Sequence, residues 1–165
     1  MRKGDASYDS DVDNLTGSEM RDATFKNLAH PIGTGQIASR GSKVSEGYKP
    51  DVTVRDEVGR LTFILESEQK ADRKAFLGDM IKAEMFAELQ DATPELVIVI
   101  QPFKNTTTRQ IADHLRPYKD WLARRNGGSL QLAAVQILSE AEYLDAIVCG
   151  DELGTGRFKS RGHVV

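Results

Sequence analysis

The sequence predicts an α/β fold with a mixed central β-sheet flanked by helices. Three observations carry this. Asp51–Arg55 and Arg60–Glu68 are short β-prone runs joined by Asp56-Glu57-Val58-Gly59, which has the chemistry of a hairpin turn. Glu95–Gln101 (ELVIVIQ) is a nearly continuous apolar run of strand length, which suits a strand covered on both faces. Between and after these runs lie long segments with helical spacing, so the later strands connect by crossovers and pair in parallel.

Taken in order, residues 1–15 carry Asp5, Asp9, Asp11 and Asp13 and read as a mobile acidic tail. Asp9-x-Asp11-x-Asp13 begins like a calcium loop, but Asn14 and Met20 stand where that loop needs Gly and Glu. A short helix follows over 18–29, capped by Thr16 or Ser18, with Met20, Phe25 and Leu28 as its apolar contacts; Pro31 and Gly33 end it. The segment 35–47 is rich in Gly and Ser and holds a weak strand near Gln36–Ser39. Two strands of the hairpin come next.

Asp72 to Gln90 has the helical recurrence of Phe76, Leu77, Met80, Ile81, Ala83 and Ala87, and Asp91-Ala92-Thr93-Pro94 breaks it. Thr106–Asn126 forms a second long helix, which Pro117 is expected to kink or split. Leu130–Leu138 reads as another buried strand, and Ser139 caps a helix that runs to Val148. Trp121 is assigned to the core, and Cys149 to a small buried position. Residues 150–165 contain three glycines (150, 154 and 156), then Arg157, Lys159 and Arg161, and read as a loose basic tail. The domain proper is thus 16–149.

Size and charge bound the function. A chain of 165 residues with 39% hydrophobic content supports one domain with a real core. The net charge of −3 gives no bulk basic character, which disfavours a protein that coats nucleic acid without specificity. With one cysteine, an intramolecular disulfide and a multi-Cys zinc site are excluded. Neither a signal peptide nor an apolar run of membrane-spanning length is visible, so the expectation is a soluble, cytoplasmic protein without a membrane partner.

The chemistry concentrates at the end of the second hairpin strand. Side chains alternate faces along a strand, so Leu61, Phe63 and Leu65 point one way, and Thr62, Ile64, Glu66, Glu68 and Lys70 the other. The hairpin folds Pro50-Asp51 back beside that acidic end. Carboxylates grouped in this way suit a divalent cation, which screens the anionic oxygens of a phosphodiester and lowers the pKa of a bound water. A neighbouring lysine orients the water or stabilises developing negative charge.

Pro50-Asp51 followed by Glu68-Gln69-Lys70 resembles the signature of the PD-(D/E)XK nuclease superfamily, which includes many restriction endonucleases and repair nucleases. The resemblance implies a restriction endonuclease-like core of helix, three-stranded meander, helix and strand over about 16–102, with the remaining helix–strand–helix as an extension. It further implies an Mg²⁺-dependent nuclease (with Mn²⁺ as the alternative metal) that acts on nucleic acid, DNA above all. Asp51 and Glu68 would be metal ligands and Lys70 would assist the water. Glu66 lies on the same face, so Glu66 with Glu68 is a competing pair. Glu19 in the first helix would complete the metal shell, and Lys74, Lys82, Arg40 and Lys43 would contact phosphate. Members that cut both strands are commonly homodimers. The alternative is a catalytically inactive nucleic-acid-binding or regulatory protein on the same fold.

Overall fold

The computed structural model describes residues 22–43, 47–70, 72–101 and 105–165. The acidic tail 1–15, the caps Thr16 and Ser18, and Glu19 lie outside the described residues. Within them the order is α1 (Asp22–Phe25), β1 (Ile37–Arg40), β2 (Val52–Arg55), β3 (Leu61–Glu68), α2 (Arg73–Leu89), β4 (Glu95–Ile100), α3 (Thr108–Arg125), β5 (Ala134–Ser139), α4 (Glu140–Cys149), α5 (Gly156–Lys159) and β6 (His163–Val164).

The described residues build one open six-stranded sheet in the order β1-β2-β3-β4-β5-β6. The meander β1-β2-β3 is antiparallel, β3-β4-β5 is parallel, and β6 returns antiparallel to β5. This is the mixed α/β sheet that the sequence predicts. The strict alternation of β4 explains its unbroken apolar run. Leu96, Ile98 and Ile100 face one cluster, with Phe76, Met80 and Ala83 of α2 and Ile111 and Leu115 of α3. Val97 and Val99 face the opposite cluster, with Phe25, Tyr143 and Ala146. Both crossover helices therefore cover one side of the sheet, and α1, α4 and α5 the other.

Caps define the helix starts. Asp72 accepts from the Lys74 amide, while Thr107 with Gln110 and Ser139 with Glu142 form reciprocal capping boxes. Gly150 takes the left-handed conformation that ends α4, with φ of 68°.

Several expectations are corrected. Residues 150–165 are not a loose tail. Phe158 and Leu153 bury into the α1/α4 side of the core. Lys159 pairs with Glu95 at 2.7 Å, Arg161 bridges Asp145 and Asp151, and β6 hydrogen-bonds to β5. The basic residues thus serve as staples of the domain. Pro117 does not split α3, which runs unbroken from Thr108 to Arg125; the proline side chain is exposed, away from the packed face. The strand placed at 130–138 begins only at Ala134, because residues 126–132 form a loop held by Glu84. Trp121 is 52% exposed, with the Arg125 guanidinium 5.9 Å from its ring, and Cys149 is exposed at the end of α4. Leu61 joins Ile64 rather than Phe63, because a bulge opposite Val54/Arg55 shifts the alternation.

His30 is buried, and its Nδ1 lies 2.8 Å from the Tyr143 hydroxyl. Burial holds its pKa down at about 4, so it is a neutral core residue at ordinary pH.

Candidate functional site

Strand register brings the predicted residues together. Val52 pairs with Leu65, which sets Asp51 beside Glu66 where β2 begins and β3 ends. Glu66 and Glu68 continue the face of Ile64, and opposite them on β4 stand Ile98 and Ile100. That face is the one covered by α2. A cavity of about 450 Å³ opens there, at the C-terminal end of β3. Asp51, Glu66, Glu68, Lys70 and Lys82 all line it, with Tyr48, Lys49, Asp72 and Asp79.

The carboxylates are held individually. Asp51 Oδ2 accepts from the Ser67 amide at 2.9 Å, and Lys26 Nζ lies 2.8 Å from Oδ1. Glu66 Oε1 accepts from the Tyr48 hydroxyl at 2.7 Å, and Oε2 from the Asp51 amide at 3.1 Å. Asp79 is within hydrogen-bonding reach of Glu68, and among the described residues nothing bonds its buried Oδ2.

Glycine at 41 makes this arrangement possible. Its amide donates to the Asp51 carbonyl at 2.9 Å, and a Cβ there would lie 1.5 Å from the Pro50 carbonyl oxygen. The backbone preceding Asp51 is packed directly against it.

Desolvation and mutual repulsion act on the acids. Burial raises the Glu66 pKa from 4.5 to about 8, with Asp51 and Glu68 adding to the rise and the Tyr48 hydrogen bond opposing it. Burial, then Glu66, raises Asp79 to about 6, while Lys82 pulls it down. Burial, then Glu66, also pushes the Tyr48 hydroxyl far up, so it stays a donor.

In chelator, the folded state keeps a proton on Glu66 between pH 4.5 and about 8 that the unfolded chain has released. Stability contributed by this group therefore falls as pH rises through that window, by up to about 5 kcal/mol. Glu66→Gln preserves both contacts, since its amide oxygen accepts from Asp51 and its NH₂ meets the Tyr48 hydroxyl. Denaturant unfolding at pH 5 and pH 8.5 should show a shallower decline in the variant. Equal declines would refute the shift.

Three of the other predicted residues do not line the cavity. Lys74, Arg40 and Lys43 are exposed and do not line the cavity, although Arg40 pairs with Val52 in the register next to Asp51. Glu19 lies outside the described residues. Conversely, the sequence reading missed Tyr48, Asp79 and Lys26. Asp79 had a signal: Ala75, Asp79 and Lys82 recur at helical spacing, beside the core stripe of Phe76, Met80 and Ala83.

Among the described residues, no group of three or more His, Cys, Asp or Glu stands ready to hold a metal ion. Asp51 and Glu66 already engage protein donors with both of their oxygens. The donor set nonetheless fits a hard divalent cation. Five carboxylates line one cavity, two of them have raised pKa values, and a buried Asp79 oxygen lacks a donor.

Among the described residues no helix is long and apolar enough to cross a membrane. In comparisons with known proteins, no family model, curated protein or solved structure matches the chain.

Proposed function

We propose that this chain is a metal-dependent nuclease of the PD-(D/E)XK kind that hydrolyses phosphodiester bonds in DNA. The observation that carries the reading is the convergence of Asp51, Glu66, Glu68 and Asp79 with Lys70 and Lys82 in one cavity. The antiparallel meander β1-β2-β3, followed by α2 and a β4 parallel to β3, supports a restriction endonuclease-like core.

In this reading Asp51 and Glu68 hold Mg²⁺ (or Mn²⁺), with Glu66 and Asp79 behind them. The ion supplies charge screening for the phosphate and acidity for a bound water. Lys70, at the exposed mouth, orients the attacking water and stabilises negative charge on the phosphate. Lys82 contacts a neighbouring phosphate oxygen. Tyr48 keeps Glu66 oriented through its hydroxyl. Cutting both strands of a duplex needs two such sites, so a homodimer would yield linear product and a monomer mainly nicks.

A second reading, an inactive nucleic-acid-binding or regulatory protein on the same fold, draws on the engagement of both Asp51 oxygens by Lys26 and Ser67. Supercoiled plasmid separates the two. The nuclease reading expects nicking or linearisation with Mg²⁺ or Mn²⁺, arrest by EDTA, and slower cutting by Lys70→Ala. No cleavage of DNA or RNA with any divalent metal would overturn it in favour of the second.

A further inference from the structure

The Lys26–Asp51 contact has no role in the mechanism above, yet it occupies the group on which that mechanism depends. Lys26 follows α1, which packs on the face of the sheet opposite α2. Phe25, fully buried, anchors that turn against His30 and Tyr143, with ring centroids 5.2 and 5.6 Å away. From this anchor the lysine reaches Asp51 at the sheet's end, and its side chain is 27% exposed against 12% for Asp51.

Of the two carboxylate oxygens, Oδ1 is the one not tied to the backbone, since Oδ2 accepts from the Ser67 amide. Lys26 Nζ takes Oδ1. An ammonium and a divalent ion on the same carboxylate oxygen repel strongly, since the pair is close and partly desolvated. Without any cation, the acids of the cavity repel one another. Lys26 thus supplies positive charge to the metal-free site and obstructs the metal.

We propose that Lys26 is a built-in counter-cation for Asp51, held there in the metal-free protein and released when a divalent ion binds. This rests on the metal-dependent reading of the cavity. The buried Phe25 keeps the backbone in place, so release is a side-chain movement. The exchange sets a threshold: the site loads only at metal concentrations that displace the lysine.

The test uses the full chain and Mg²⁺ or Mn²⁺ alone, without substrate. By titration calorimetry, Lys26→Met should bind the ion about tenfold more tightly than the parent, and Lys26→Arg should restore parent-like affinity. In EDTA, Lys26→Met should melt lower, and Mg²⁺ should raise its Tm by more than it raises the parent's. A structural role alone would lower Tm without tightening metal binding. In the parent chain, the rate at which Lys26 reacts with an amine-acylating reagent, read by mass spectrometry, should rise on adding Mg²⁺. Equal or weaker affinity in Lys26→Met overturns the inference and leaves the metal site standing. If that variant does not fold, unchanged Lys26 reactivity with Mg²⁺ overturns it instead. If the parent binds neither ion, the metal-dependent reading itself falls.

Discussion

Asp51→Asn is expected to fold and to cleave DNA at least about 10²-fold more slowly than the parent chain. The asparagine oxygen still accepts from the Ser67 amide, so the end of β3 keeps its closure. The negative charge that would hold the ion is lost, and the amide turns its own donors toward Lys26. Asp51→Ala should lose activity as well, but it also leaves the Ser67 amide without an acceptor, at a cost of about 1–3 kcal/mol. The comparison separates chemistry from folding. Plasmid cleavage reports the first, and denaturant unfolding the second. Parent-like cleavage by Asp51→Asn would remove Asp51 from the metal site.

Glu84→Ala should destabilise the fold by about 3 kcal/mol without touching the cavity. Glu84 is a buried acid on α2, on the side facing α3. Its Oε1 accepts from the Gln131 amide at 2.9 Å and from Asn126 Nδ2 at 3.3 Å, and its Oε2 from the Leu132 amide at 3.0 Å. The carboxylate thereby stands in for the backbone pairing that the loop between α3 and β5 lacks. Truncation strands two backbone amides, one of them buried. Glu84→Gln keeps a single acceptor oxygen and should lose roughly half as much. A loss under about 1 kcal/mol in Glu84→Ala, measured by urea unfolding, would show that water replaces the carboxylate at little cost.

These two acids show what the sequence makes readable. Asp51 could be placed because a hairpin and a two-residue alternation determine where its side chain goes, and both are local. The same rule placed Glu66 and Glu68 on one face. It failed at Leu61, where a bulge breaks the alternation. Lys82 and Asp79 share a helical stripe, yet only packing α2 over the end of β3 shows that the stripe meets the acids. Lys26 and Tyr48 come from segments with weak patterns, and their partners lie 25 and 18 residues away. No periodicity encodes such contacts.

The C-terminal segment went unread for a related reason. Its elements are a single turn and a two-residue strand, too short for a period to register. Phe158 is an isolated aromatic among glycines and basic residues, and its burial depends on a pocket built by β4, β5 and α4. Trp121 erred the other way. It sits beside the packed stripe of Ile111, Leu115 and Leu122, and an Arg125 one turn later covers its ring.

The close approach of residue 41 to Pro50 bears on how relatives of this chain are to be found. A proline–aspartate pair followed by an acid and a lysine is too short a pattern to pick out kin among unrelated sequences. The neighbours Arg40, Ser42 and Lys43 are exposed and free to vary, whereas any side chain at 41 collides with the backbone just before Asp51. A Cβ at 41 would force that backbone to shift, so glycine is expected there wherever the site is kept. A glycine nine positions ahead of the Pro-Asp, between exposed neighbours, lengthens the searchable signature with a residue that does no chemistry.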